Sequence, residues 1–182
     1  MANRKNKDNW ITFSAKDCAY IAVFVAVLIA AQLAFSAIPG VEVVTLLFIT
    51  FAFCFGVLRG TIAATVFSLI RQLVFGFFPT VLILYLVYYN LLGLVFGWLG
   101  KRLKNPLKSL WLIVCLAIIF TVMFTLMDNL LTVTWYGYTA RAAKIYWKAS
   151  LAVMFPQLIC VAISVGVLFY PLYKVFRFIS RK

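Results

Sequence analysis

The fold of this chain is decided by its first long apolar stretch, AYIAVFVAVLIAAQLAFSA, residues 19–37. The stretch has no charged residue and approaches the ~20 apolar residues that a helix needs to cross a bilayer. Alanine recurs in it at every fourth position, at Ala22, Ala26, Ala30 and Ala34. In a helix these side chains form one slowly winding strip, because four residues turn the helix by one turn plus about 40°. The stretch therefore predicts a transmembrane helix with one nearly bare flank.

The rest of the chain repeats this apolar character. Of its 182 residues, 66% are hydrophobic and 12% are charged, which is more apolar surface than a soluble domain of this size can bury. The runs lack the alternating pattern of a membrane β-barrel. We therefore predict an all-α polytopic membrane protein, with residues 1–182 forming one six-helix domain and Pro156 kinking the last helix. The predicted spans are 18–38 (ended by Pro39-Gly40), 43–58 (ended by Arg59-Gly60), 61–78, 80–100, 109–135 and 149–173.

The basic residues predict the orientation of the bundle. The formal net charge is +13, and thirteen of the seventeen Lys and Arg residues flank the spans on the side of the termini. The positive-inside rule then predicts that both termini face the cytoplasm. Anionic headgroups of the lipid bilayer account for this charge, so no nucleic-acid partner is expected. The exception is WYGYTARAAKIYWKAS, residues 135–150, a predicted external loop that either has a function or lies in the membrane interface.

The residue types argue against several chemistries. The chain has no His, four Asp or Glu residues and four scattered Cys, without CxxC spacing. It also lacks the GxxxxGK[ST] loop that cradles ATP phosphates. We therefore expect no catalytic residue, no metal and no intrinsic cofactor. A small secondary transporter or channel is an alternative, although the inverted repeats of such folds are not visible between the two halves.

Polar residues inside the spans are the candidate binding groups, because they are costly in a membrane and commonly functional. Arg71 lies near the middle of the third span, where it either contacts substrate or pairs with Asp128 or Glu42. Tyr85, Tyr88 and Tyr89 share one face of the fourth span. Most candidates reach the outer half of the predicted bundle. The predicted substrate-binding residues are Arg71, Glu42, Tyr85, Tyr89, Asn90, Asp128, Asn129, Trp135 and Gln157.

Several segments together resemble a known family. They are the Ala-xxx-Ala first span, IPGVEVVTLLFITFAFCFGVLRG (38–60), FSLIRQLVFGFFPTVLILYLVYYNLLGLVFGWLGK (67–101) and VLFYPLYKVF (167–176). This combination resembles the substrate-specific S component of an energy-coupling factor (ECF) transporter, an importer of the ABC type. The resemblance extends over essentially the whole chain. It implies a six-helix subunit in the plasma membrane of a prokaryotic cell that captures a vitamin from outside the cell.

The resemblance also implies partners and a cargo. An S component docks on a transmembrane coupling protein (the T component) that carries two ATPase subunits, where ATP would be hydrolysed. In this chain the coupling-protein contact would be made by Ala22, Ala26, Ala30 and Ala34. The segments at 38–47 and 71–79 are most similar to S components for cobalamin and related corrinoids. Riboflavin, pantothenate, pyridoxine and folate are the alternative substrates.

Overall fold

The computed structural model describes residues 14–38, 42–103 and 106–180, and all regular secondary structure in these ranges is α-helical. The prediction of an all-helical fold is therefore confirmed for the described residues. Five of the six helices (all except α2) have the length and apolarity of membrane spans, as in a multi-pass membrane protein. The predicted turn at Pro39-Gly40 and the basic N-terminus lie outside the described residues. The helices are α1 (Ala15–Phe35), α2 (Val43–Phe55), α3 (Val57–Phe75), α4 (Pro79–Arg102), α5 (Leu110–Trp135) and α6 (Ala140–Ser180).

The short helix α2 lies at the centre of the bundle. It packs against α1, α3, α4 and α6, and most of its side chains are buried. Its 13 residues extend over about 20 Å, less than the ~30 Å hydrocarbon core of a bilayer. A helix enclosed by other helices has its polar backbone satisfied internally and need not match the thickness of the lipid.

The break between α2 and α3 differs from its prediction. The sequence predicts the break at Arg59-Gly60, whereas the structure has it at Gly56, where φ is +85°. Glycine adopts this backbone conformation without the steric cost that a Cβ would add. Residues 59 and 60 consequently belong to the first turn of α3, which begins at Val57.

This shift gives Arg59 a structural role. Its Nε lies 2.8 Å from Oδ1 of Asp17, near the start of α1, and the Asp17 side chain is only 8% exposed. The Asp17 carboxylate also accepts a hydrogen bond from the backbone N–H of Ser14. The ion pair therefore joins the N-terminus of α1 to the N-terminus of α3.

Close packing of α4 depends on a row of glycines, which we call the glycine seam: Gly60, Gly93, Gly97 and Gly100. A Cβ on Gly93 would lie 3.1 Å from the carbonyl carbon of Gly60, and a Cβ on Gly97 would lie 2.6 Å from the backbone nitrogen of Val57. Small residues at such positions let helix backbones approach each other, which is how helices associate in lipid. The Gly93-xxx-Gly97 spacing is the sequence signal for this contact.

The last helix is much longer than its prediction. The sequence predicts a span over 149–173 after a long external loop, whereas α6 runs without interruption for 41 residues, about 60 Å. Only residues 136–139 separate it from α5. Alanine, lysine and arginine are good helix formers, which explains the helical start of α6. Pro156 does not end the helix. The three basic residues of the predicted loop thus lie on a helical extension.

The outer surface of the bundle is apolar. Leu73 is 86% exposed, Trp111 75%, Phe77 70% and Val167 65%. Apolar surface of this extent is unfavourable in water. Lipid chains are the solvent that matches it.

Candidate ligand-binding site

A cavity of about 180 Å³ lies at the end of the bundle where α2 begins. Five helices contribute to its wall, and α3 does not. The cavity is about 22 Å from the Arg59–Asp17 ion pair, judged by the rise of α1 from Asp17 to Gln32. Its polar lining includes Gln32, Ser36, Glu42, Thr45, Thr121 and Gln157, and its aromatic lining consists of Phe35, Tyr85, Tyr88, Tyr89 and Phe124.

Glu42 is the charged residue of the cavity wall. It immediately precedes α2, where the positive end of the helix dipole favours a carboxylate. Its Oε2 accepts a hydrogen bond of 2.5 Å from Oγ1 of Thr45, and its Oε1 accepts one from Nε2 of Gln157. Burial raises the pKa of the Glu42 carboxyl, and these two donors oppose the rise. The contacts hold the carboxylate at a defined position beside the cavity.

The tyrosines of α4 form the aromatic side of the cavity. Tyr85, Tyr88 and Tyr89 lie on one face of the helix, as their spacing predicts. The ring centroids of Tyr88 and Tyr89 are 5.0 Å apart, and the ring of Phe124 from α5 lies 4.8 Å from that of Tyr88. Edge-to-face contacts of this kind stabilise the aromatic wall.

Gln32 and Arg71 both contact Tyr85. Nε2 of Gln32 donates a 2.9 Å hydrogen bond to the Tyr85 hydroxyl, which leaves the buried Oε1 of Gln32 without a partner. The guanidinium of Arg71 lies 4.3 Å from the centroid of the Tyr85 ring and 5.0 Å from that of Phe75. Arg71 does not line the cavity. It reaches the site only through Tyr85.

The ion pairs predicted for Arg71 are not formed. No oxygen of Asp128 or Glu42 lies within ion-pair distance of its guanidinium. Both carboxylates have other partners: Asp128 accepts a 3.0 Å hydrogen bond from Tyr146, and Glu42 is held by neutral donors. Aromatic rings take the place of an acid beside Arg71, while its Nε and Nη1 remain buried without a hydrogen-bond partner.

Two further predicted site residues make structural contacts away from the cavity. Nδ2 of Asn90 donates hydrogen bonds to the Leu86 carbonyl at 2.8 Å and to Thr65 at 3.3 Å. The bond to Leu86 lies within α4, whereas the bond to Thr65 joins α4 to α3. Asp128 instead joins α5 to the N-terminal extension of α6 through Tyr146.

Asn129 and Trp135 also lie outside the cavity wall. Asn129 is fully buried, and neither polar atom of its side chain has a hydrogen-bond partner. It follows Thr121 and Thr125 at intervals of four residues, so it lies on the α5 face that reaches the cavity. Trp135 is the last residue of α5 and is 56% exposed.

The structure thus brings four of the nine predicted residues into the cavity wall: Glu42, Tyr85, Tyr89 and Gln157. The prediction missed Gln32, whose amide interrupts an otherwise apolar stretch, and this interruption is its sequence signal. It also missed Thr45, which lies three residues after Glu42 and so shares its side of the helix start. The contributions of Thr121 and Phe124 carry no comparable signal.

A second surface of interest lies on α1. The predicted alanine strip is exposed along its whole length, while the opposite face of α1 buries Phe24 and Leu28. Beside the strip, α1 and α3 enclose an apolar groove of about 420 Å³. We call this the alanine groove. Its lining residues are Ala22, Val25, Ala26, Ile29, Ala30, Leu33, Val66 and Ile70.

Neither surface carries a metal-ligand cluster: within residues 14–38, 42–103 and 106–180, no three His, Cys, Asp or Glu side chains come together. The cavity instead offers hydrogen bonds, one carboxylate and aromatic faces, a combination suited to holding a small organic molecule. Comparisons of the chain with protein-family models, with curated proteins and with solved structures find no match.

Proposed function

We propose that this chain is the substrate-binding membrane subunit of an ECF-type vitamin importer. The observation that carries the proposal is the cavity, in which convergent polar and aromatic side chains collect at one end of an otherwise apolar bundle. Polar groups within apolar helices cost free energy and are commonly retained for a function. Capture of a solute from water at the membrane surface is such a function.

The proposed topology puts the cavity outside the cell. All six helices cross the bundle, with α2 as a short, enclosed crossing, and both termini face the cytoplasm of a prokaryote. Among the described residues, Lys101, Arg102 and Arg177 lie in the helix ends opposite the cavity, which supports this orientation. The cavity then opens toward external nutrient.

The proposed motor is external to the chain. A transmembrane coupling protein docks on the alanine groove, and two ATPase subunits attached to that protein hydrolyse ATP. The outward position of Ala22, Ala26 and Ala30 supports this assignment, because a strip used for internal packing would be buried.

The size of the cavity indicates how large the transported molecule can be. A volume of about 180 Å³ lies below the ~300–1,000 Å³ of typical ligand pockets. A compact ring system is closer to this volume than a corrinoid, for which the helix ends around the cavity would have to move apart. Cobalamin therefore stays a prediction from sequence resemblance, and the smaller vitamins gain support from the cavity.

The test begins with mass spectrometry of small molecules retained by the purified chain. The identified solute is then used for equilibrium binding and for uptake into cells that contain the coupling protein and both ATPases. We expect Ala26→Trp to abolish energised uptake and leave the affinity for the solute nearly unchanged. Val23→Trp is the control, because Val23 is 66% exposed and does not line the alanine groove.

Two results would contradict the proposal. Normal uptake by the Ala26→Trp variant would remove the docking role of the groove. Loss of both binding and uptake in this variant, with Val23→Trp unaffected, would indicate that the strip stabilises the bundle instead.

A further inference from the structure

We infer that the cavity selects a compact ligand that presents a cationic, hydrogen-bond-donating group to Glu42 and Gln32. The inference rests on the proposed function in one respect, that the cavity is a ligand site. It goes further by naming the charge and the hydrogen-bonding sense of the ligand. Two independent observations carry it.

The first observation is the charge of the cavity wall. Glu42 contributes a carboxylate, and the described residues that line the cavity include no Lys or Arg. Arg71 does not line the cavity; its guanidinium lies against the ring of Tyr85, which does. The N-terminus of α2 offsets only part of a unit charge. A ligand cation beside Glu42 would supply the missing charge in a setting where water screens it poorly.

The second observation is an unused hydrogen-bond acceptor. One N–H of the Gln32 amide donates to the Tyr85 hydroxyl, and the buried Oε1 of Gln32 has no partner. Leaving a buried acceptor unpaired is unfavourable. Gln32 lines the cavity, and its buried Oε1 becomes available to a ligand N–H group when the amide turns toward the cavity. Oε1 of Gln32 is therefore an unmet acceptor in the cavity wall, which matches a donor on the ligand.

The aromatic wall favours the same class of ligand. Faces of tyrosine and phenylalanine rings attract cations through their quadrupole and stack on planar groups. Tyr88, Tyr89 and Phe124 provide such rings within a volume of about 180 Å³. A single planar ring with an amidinium-like or ammonium group meets all three requirements of size, charge and donors. An anion of equal size meets only the first.

The experiment uses three probes of nearly equal shape: benzamidinium, benzamide and benzoate. Binding to the purified full chain in detergent, freed of retained solute, is measured by calorimetry and by thermal shift at up to about 10 mM probe. We expect benzamidinium to bind at least tenfold more tightly than benzamide, about 1.4 kcal/mol. Benzoate should not bind detectably.

Variants separate the contributions. Glu42→Gln keeps the size of the side chain and should remove the preference for benzamidinium over benzamide. Gln32→Met removes the free acceptor and should weaken the binding of benzamidinium and of benzamide, which both donate hydrogen bonds. The preference for benzamidinium over benzamide should remain. Asp17→Asn is the control, because it removes a carboxylate at the opposite end of the bundle and should leave the preference intact. Gel filtration confirms that each variant is folded.

Failure of the cation preference and failure of the proposed function give different results. Equal binding of benzoate and benzamidinium, an unchanged preference in Glu42→Gln, or binding of none of the probes would each overturn the inference. The proposed function fails separately, if a chain that shows the cation preference neither associates with a coupling protein nor supports uptake. Conversely, energised uptake of an anionic solute would retain the importer and reject the cation-selective cavity.

Discussion

The glycine seam allows a prediction whose magnitude follows from the structure. In Gly97→Ala the new Cβ would lie 2.6 Å from the backbone nitrogen of Val57 and 2.7 Å from its Cα. Ordinary contacts are near 3.5 Å, and backbone atoms cannot rotate away, so α4 has to move from the start of α3 by about 1 Å. Overpacking of this kind costs about 1–3 kcal/mol, against which the better helix propensity of alanine returns up to about 1 kcal/mol.

We therefore expect Gly97→Ala to lower the free energy of unfolding by about 1–2 kcal/mol and the melting temperature by about 3–6 °C. The matched control is Gly166→Ala in α6, where a Cβ would meet nothing within 4 Å. That variant should melt at or slightly above the wild-type temperature. The assay is thermal unfolding of all three proteins in the same detergent. Wild-type or higher stability of Gly97→Ala would refute the reasoning, because it would mean that the helices are not in backbone contact at this position.

Three further predictions concern charged and polar groups. Arg59→Ala leaves the carboxylate of Asp17 buried without its cation and should lower the free energy of unfolding by about 3 kcal/mol in a denaturant titration; a loss below about 0.5 kcal/mol would argue for a solvated pair. Asn129→Leu removes two buried polar atoms that have no partner and should raise stability by about 1–2 kcal/mol in thermal unfolding, whereas a loss would reveal a hydrogen bond to another molecule. Burial raises the pKa of Glu42, so the folded chain binds this proton more tightly than the unfolded chain. The contribution of Glu42 is therefore present below the usual carboxyl range and is lost as the pH rises through the raised pKa. In Glu42→Gln the melting temperature should depend less on pH from the usual carboxyl range upward; an equal pH dependence in both proteins would contradict this.

The bounds of several helices can be predicted from local sequence alone. The predicted bounds of the fourth and fifth spans, 80–100 and 109–135, lie within two residues of α4 and α5. Long apolar runs interrupted by proline or by basic clusters leave few alternatives for a helix in lipid. The errors occur where a run has no such interruption. Nothing local distinguishes Gly56 from Gly60 as the break. No glycine or proline lies between Ala140 and the predicted start of the last span at Ala149, so α6 begins earlier than predicted.

The site was less predictable than the helices. Depth along a helix follows from counting residues, so the sequence predicts a height in the bundle for candidates such as Asn90 and Gln157. Which side of the helix faces the interior does not follow, because in lipid the outer face is as apolar as the core and hydrophobic periodicity loses its meaning. Asn90 lies between α3 and α4, while Gln157 faces the cavity. Of the two rings beside Arg71, that of Phe75 follows from the four-residue spacing within α3, whereas that of Tyr85 on α4 follows from no spacing.

An all-helical, lipid-compatible chain and the alanine strip along α1 can be read from the residues alone, because hydropathy and helical spacing are local properties. That the strip faces outward and the glycine seam faces inward is known only from the packed helices. The tertiary structure alone joins Glu42 to Gln157, 115 residues away, beside three tyrosines. Which side chains of two helices meet depends on the rotation of each helix about its axis. The packing of the helices sets this rotation, and their amino-acid composition does not.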